Sequence, residues 1–286
     1  MSAPAERLPL SDDLIPLSIW PSSVPHAPVL LIVPALGTPA GAYKRLAAAL
    51  AQRCAEVVVL ELRGVGESRL RPSRRADWSY ADLVDGEIDQ AVAALRHRYP
   101  GRALYLLGHS LGGHLALLHQ ARHPQRPIDG LVLVASGAPY AKAYGGKRLL
   151  VRMFGMLAHW SSRALGYFPG DLLGFGGRQG RTLMVEWARF VRTGQPQVSG
   201  WRDPHVWRPR LKQVTVPTLA LATAGDHYAP VAAMRHLLAL TAIPPEVGRV
   251  GPGPDGRPPG HFGWLKQPVE VVQRVADWVL ARSHPG

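Results

Sequence analysis

Apolar residues recur along the chain with two distinct periods. Short continuous runs of aliphatic and β-branched residues at 29–33, 57–60, 104–107, 131–135 and 218–222, each bounded by Gly, Pro or polar residues, predict fully buried strands. A further run at 14–20 predicts an early strand, placed at a sheet edge because Pro16 cannot donate to a central ladder. Between these runs, residues 40–53, 80–99 and 111–122 carry helical spacing. A last helix over 268–281 opens on Pro268, a favoured first-turn residue, and places Val272, Val275 and Val279 on one face. Strands alternating with helices predict an α/β chain with a mostly parallel central sheet and helices on both faces.

The alternation breaks between 139 and 210, a stretch rich in Gly, Trp, Phe and Arg with helical patterns near 148–165 and 181–191. It reads as a helical lid inserted into one core, so that 1–138 and 211–286 form the two parts of the core. No repeat, heptad or low-complexity tract interrupts this organisation, and the Pro/Gly cluster at 251–260 reads as a loop.

Composition narrows the class. With 286 residues, 47% hydrophobic and 19% charged, the chain has ordinary globular composition. The one cysteine, Cys54, excludes a disulfide framework or a cysteine-rich metal site, which fits a reducing compartment, and the cytoplasm is the expected location. No run approaches the roughly 18 apolar residues of a spanning helix, so stable membrane insertion is not expected. The net charge of +13 rests on arginine, the densest cluster being Arg69, Arg71, Arg74 and Arg75. That cluster lacks the interleaved aromatics on which single-strand binders stack bases, so it reads as a solvated face and no nucleic-acid partner is expected.

The strongest chemical signal is Gly108-His109-Ser110-Leu111-Gly112, which follows a buried strand and opens an amphipathic helix. Such a Gly-x-Ser-x-Gly turn is sharp and strained, and it lifts the serine hydroxyl above the sheet; the alternative is a tight turn with an unremarkable surface serine. The Leu111 N–H, at the helix start, would face the oxygen of a reacting carbonyl, where the helix dipole favours negative charge. A serine hydroxyl is a weak nucleophile and needs a base oriented by a third group. In folds built on this turn the chain order is serine, acid, histidine.

His261, in Gly260-His261-Phe262-Gly263 before the last helix, meets that order. His109 and His114 sit within the turn and its helix, where packing explains them. For the acid, Asp226 directly follows the 218–222 strand, the end of a parallel strand at which such sheets place functional groups. Its competitor, Asp255, lies in the turn-forming Gly253-Pro254-Asp255-Gly256. A second oxyanion donor is expected from Pro34-Ala35-Leu36-Gly37-Thr38, with Leu36 N–H first and Ala35 N–H second. The Gly251-x-Gly-x-x-Gly256 spacing is rejected as a dinucleotide loop, because two prolines remove donors and no helix follows. With no zinc, Walker or Cys/His motif, neither a metal nor another cofactor is expected.

Taken in order, the 34–38 loop, Glu61-Leu62-Arg63-Gly64-Val65-Gly66-Glu67-Ser68, the serine turn, Gly225-Asp226 and Gly260-His261 resemble the α/β-hydrolase superfamily over most of the chain. Pro-Ala-x-Gly at 34–37, Leu-Gly-Tyr-Phe-Pro-Gly at 165–170 and the Gly-His-Phe-Gly motif are most similar to a bacterial group of predicted serine hydrolases. The resemblance implies an acyl-enzyme mechanism on a small-molecule ester or thioester, with Ser110 as nucleophile, His261 as base and Asp226 orienting it. The same scaffold also carries peptidases, acyltransferases and non-catalytic ligand-binding proteins.

Aromatic residues of the insertion and its neighbours, namely Tyr140, Trp160, Phe168 and Trp187, with Tyr228 beyond Asp226, are candidates to line an apolar acyl pocket; packing of the insertion onto the core is the alternative for each. The arginines of the insertion also suit an anionic acyl donor such as acyl-CoA. An esterase with an apolar acyl group is the leading expectation, and the oligomeric state is left open.

Overall fold

The computed structural model describes residues 4–10, 15–244, 246–253 and 256–283. An eight-stranded sheet forms its centre, in the order β1 (Glu6–Leu10), β2 (Ile15–Trp20), β4 (Glu56–Leu60), β3 (Val29–Val33), β5 (Leu104–His109), β6 (Gly130–Val134), β9 (Thr218–Thr223) and β10 (Gly248–Val250). β1 and β2 are antiparallel to their neighbours, and the other strands run parallel from β4 to β10. The mostly parallel sheet expected from the alternating pattern is therefore present. The edge assignment of 14–20 needs correction. β2 lies inside the sheet, covered by β1, and Pro16 is opposite Pro9, so two residues without N–H groups face each other. β1 escaped the pattern because Glu6-Arg7-Leu8-Pro9 shows neither a continuous apolar run nor a proline-free alternation.

The strands alternate strictly between two cores. Leu31, Val33, Val58, Leu60, Leu106 and Leu133 face α2 (Asp89–Arg98) and α3 (Leu111–Arg122), packing with Val92, Leu95, Leu115 and Leu118. Leu30, Ile32, Val57, Val59, Leu107 and Val132 face α1 (Lys44–Ala51) and α9 (Val269–Ser283), packing with Leu46, Leu50, Val272, Val275 and Val279. Helices on both faces thus follow from the period-two alternation of strands buried on both sides. The predicted helix at 80–99 forms as a π-helical turn, Asp82–Ile88, running into α2. Inside that turn Glu87 is fully buried and paired with the Arg63 guanidinium; burial, opposed by Arg63, raises its carboxyl to about 8.

Between β6 and β9 the chain leaves the sheet. A 3₁₀ segment (Ala141–Lys147) leads into α4 (Arg148–Leu165), followed by the hairpin strands β7 (Tyr167–Pro169) and β8 (Gly177–Gly180) around the short α5 (Gly170–Leu173), and then α6 (Arg181–Thr193). α6 is tied to the core: Asp77 accepts from Thr182 N (2.9 Å) and Thr182 Oγ1 (2.6 Å) at its start, and Glu186 accepts from Tyr80 N (2.8 Å). α4 packs on α6 as an outer layer, and Arg74 Nε caps its last turn through Leu165 O (3.1 Å). One arginine of the basic loop thus complements the helix dipole instead of facing only solvent. α7 (Pro204–Leu211) packs on α3 through the main core, where Trp207 and Leu211 are buried, and α8 (Val231–Leu238) follows β9.

α3 approaches β3 so closely that a Cβ on Gly112 would lie 2.1 Å from Val33 O. Alanine would raise helix propensity by about 1 kcal/mol, but this contact is with a backbone carbonyl that cannot swing away. Gly112→Ala is expected to lower stability by a net of about 1–3 kcal/mol in urea unfolding.

Candidate active site

Ser110 joins β5 to α3 with φ 52° and ψ −115°, a left-side conformation costly for any residue with a Cβ. Two contacts beyond those predicted hold it there. Ser110 N donates to Val134 O (3.2 Å), and Ser136 Oγ donates to Ser110 O (2.6 Å). Ser136 is buried beside Gly113, where any side chain would displace its hydroxyl. The sequence signals this residue only by its position just past a strand's carboxyl end.

Asp226 and His261 are brought together from loops 35 residues apart: His261 Nδ1 lies 2.8 Å from Asp226 Oδ2. The other carboxylate oxygen accepts from Tyr228 N (2.8 Å) and Ala229 N (2.9 Å), so the turn after β9 fixes the aspartate before the histidine reaches it. Thr223 Oγ1 donates to Gly260 O (2.7 Å), fastening the histidine loop to the end of β9. Both members of the pair are buried. Asp255 lies outside the described residues.

His109 is the hinge between this pair and the elbow. Its Nε2 donates to His261 O (3.1 Å), and its ring lies 5.0 Å from that of His261, centroid to centroid. Its Nδ1 accepts from the Tyr43 hydroxyl (2.8 Å), and Tyr43 Oη accepts from Ala35 N (2.8 Å). One neutral tautomer satisfies every link of this chain. Burial and the neighbouring His261 push the His109 imidazole well below its ordinary value, in keeping with that tautomer. Ser110 is half-buried, and no hydrogen bond joins its hydroxyl to His261 among the described residues. Contacts of this kind often tighten only around substrate.

Leu111 begins α3, so its N–H has no intrahelical acceptor. In the loop after β3, Ala35 N–H is committed to Tyr43, which withdraws it as an oxyanion donor and leaves Leu36 as the amide of the two considered. The hairpin between β7 and β8 rests on this loop. A Cβ on Gly37 would lie 2.1 Å from Gly176 O, and one on Gly176 would meet the Leu36 side chain at 2.6 Å. Beneath the loop, Glu61 accepts from Ala40 N (2.9 Å) and Glu67 N (3.2 Å), joining the 34–43 and 61–68 segments.

The aromatic candidates divide. Tyr228 lies 5.2 Å from the His261 ring and 5.9 Å from Phe175, which packs on Trp187 (5.6 Å) and Phe154 (4.9 Å). Phe168 is buried under the same cluster. A continuous aromatic row therefore runs from the histidine under the β6–β9 insertion. Tyr140 stands apart, stacked on His236 at 4.6 Å, and Trp160 projects from the outer face of α4.

The chain is similar to several known proteins. A family model described as serine aminopeptidase, S33, matches residues 25–186. The RutD protein of Serratia proteamaculans (strain 568), whose name marks it as a candidate carbamate hydrolase, is 28% identical over 214 residues, covering 72% of this chain and 76% of its own. Among solved structures, a soluble variant of monoglyceride lipase from Saccharomyces cerevisiae, in complex with a substrate analog, superposes with a TM-score of 0.71 at 12% identity, covering 99% of this chain and 97% of its own. A candidate lipase from Acinetobacter baumannii AYE has a TM-score of 0.62 at 20% identity, covering 97% and 91%. These structures share the α/β-hydrolase fold.

Two predictions follow from the buried histidines and their partners. Tyr43→Phe leaves the buried Ala35 N–H without an acceptor and is expected to cost about 1–3 kcal/mol in chemical denaturation. Burial holds His114 at about 4, against an ordinary value of 6.5. Below pH 6.5 the unfolded chain therefore binds a proton that the folded chain refuses, and stability should fall from pH 6.5 toward 4. His114→Gln, which retains a donor for Gly137 O, should flatten that slope in urea unfolding measured across pH.

Proposed function

The chain belongs to the serine aminopeptidase S33 family of the α/β-hydrolase superfamily, and from that membership and the site geometry we propose that it is a serine hydrolase of carboxylic esters with an apolar acyl group. The observation that carries the reading is the buried Asp226–His261 pair anchored, through His109, beside a serine held at positive φ. In this mechanism Ser110 Oγ attacks the ester carbonyl while its proton passes to His261 Nε2. The Leu111 and Leu36 N–H groups hold the oxyanion, and Asp226 stabilises the imidazolium. Collapse breaks the C–O bond and expels the alcohol, which takes the proton from His261. Water, deprotonated by the same imidazole, then attacks the acyl-Ser110 ester and regenerates the hydroxyl. The acyl group lies along Tyr228, Phe175 and Trp187, and the insertion over residues 139–210 acts as the lid that covers it.

The family description names an aminopeptidase, but recognition of a substrate ammonium needs an uncommitted carboxylate. The insertion has three, each engaged elsewhere: Asp171 with Arg178 (3.0 Å), Glu186 with Tyr80 N and Ser199, and Asp203 with His205 N. This favours a neutral ester over a peptide amine.

Initial rates on p-nitrophenyl esters of graded acyl length, with acyl-CoA thioesters and an aminoacyl p-nitroanilide alongside, test the reading. Ester cleavage that rises with acyl length is expected, is lost in Ser110→Ala, and falls by about 10⁴ in kcat in Asp226→Asn. Preferred cleavage of the anilide or the thioester, or ester turnover that survives Ser110→Ala, overturns it.

A further inference from the structure

α4 is amphipathic in the opposite sense to an ordinary surface helix. Its buried residues are the small Gly155, Ala158 and Ser162, with Val191 of α6 against Gly155. Apart from Phe154, which turns inward to the aromatic row, its large apolar residues face outward: Leu149, Leu150, Met153, Met156, Leu157 and Trp160 are 47–66% exposed. Their spacing along one stripe of the helix is that of a single continuous face. A surface helix normally buries such a stripe, and contiguous apolar patches on this scale mark an interaction site.

Charge identifies the occupant. From Ala141 to Leu165 the chain carries Lys142, Lys147, Arg148, Arg152 and Arg163 and no carboxylate. Beside the stripe, Arg152, Arg163, Arg189 and Arg192 line a groove of about 460 Å³ with Met156, His159 and Trp160. None of these four arginines has a carboxylate within ion-pair distance among the described residues. Burial together with Arg163, Arg189 and Arg192 lowers the His159 imidazole, as a concentrated positive field would. A second copy of the chain docked face to face would set these cations against their own counterparts, a repulsion that an anionic layer turns into attraction.

We infer that the outer face of α4, with the arginine groove beside it, is a docking surface for an anionic lipid bilayer, the apolar stripe entering the headgroup boundary and the guanidinium groups meeting lipid phosphates. Peripheral attachment of this kind needs a charged apolar-faced helix lying in the interface, not a spanning one. Among the described residues no helix is long and apolar enough to cross a membrane. Trp160 supplies the amphipathic ring that favours the interface. The inference does not depend on the chemistry at Ser110.

Co-sedimentation of the full chain with phosphatidylcholine vesicles, with and without phosphatidylglycerol, tests it. Binding is expected only to the anionic vesicles and should weaken as salt is raised. Replacing Arg152 and Arg192 by Gln should lower the partition coefficient about thirtyfold, at about 1 kcal/mol per cation. Leu150→Glu with Met153→Glu should abolish binding, and because both positions are exposed the thermal midpoint should stay unchanged. Failure to bind the anionic vesicles, or wild-type binding by either variant, overturns the assignment. So does a dimer in light scattering that the Leu150→Glu/Met153→Glu variant dissociates, since the occupant would then be a second copy.

Discussion

The approach of α3 to β3 governs the site. Gly112 lies against Val33 O with no room for a side chain, so the helix begins almost on top of the neighbouring strand, and the connection from β5 must turn within one residue. Ser110 takes that turn at positive φ, with its carbonyl held by Ser136 and its amide by Val134. Strain at one residue is tolerated because the parallel strands β3, β5 and β6, buried on both faces, fix the surrounding backbone. The same geometry starts α3 at Leu111, whose N–H has no intrahelical acceptor.

A second constraint is the neutral His109, which ties three loops into one body. Through Tyr43 it reaches Ala35, and through its other nitrogen the carbonyl of His261. Every link of this network is made in one neutral tautomer, and burial keeps it neutral, so the relative placement of the 34–38 loop and the histidine loop does not depend on ordinary acid–base change near neutrality. The insertion adds to the same body from above: the Gly176 backbone rests on Gly37, and Phe175 connects the aromatic row to Tyr228. An apolar wall therefore reaches the histidine by direct packing.

The insertion itself is built in two layers of different character. α6 is fastened to the core by Asp77 and Glu186, with its large apolar residues inward, whereas α4 lies on it through small residues and Phe154 and turns a stripe of six other large ones out. Both helices have similar amphipathic spacing in sequence, and only their packing partners give the two stripes opposite meanings.

Periodicity and turn stereochemistry are local, which is why the chain alone determined the alternation of strands and helices, the elbow at Ser110 and the helix that begins at Leu111. The position of His261 before the last helix was also legible, because chain order constrains it. What the sequence could not contain is which groups meet across long separations. The contact of His261 Nδ1 with Asp226, the reach of His109 Nε2 to His261 O, and the hold of Ser136 on Ser110 all join segments whose proximity is set by the sheet order. The same limit hid β1, whose polar and proline-broken pattern becomes a strand only by pairing with β2, and left Trp160 and Phe168 indistinguishable as aromatic residues of one insertion. An aromatic side chain has the same local signature whether it is buried or exposed. Only the packing of α4 on α6 turned Trp160 to solvent, while Phe168 is enclosed under Phe154 and Phe175.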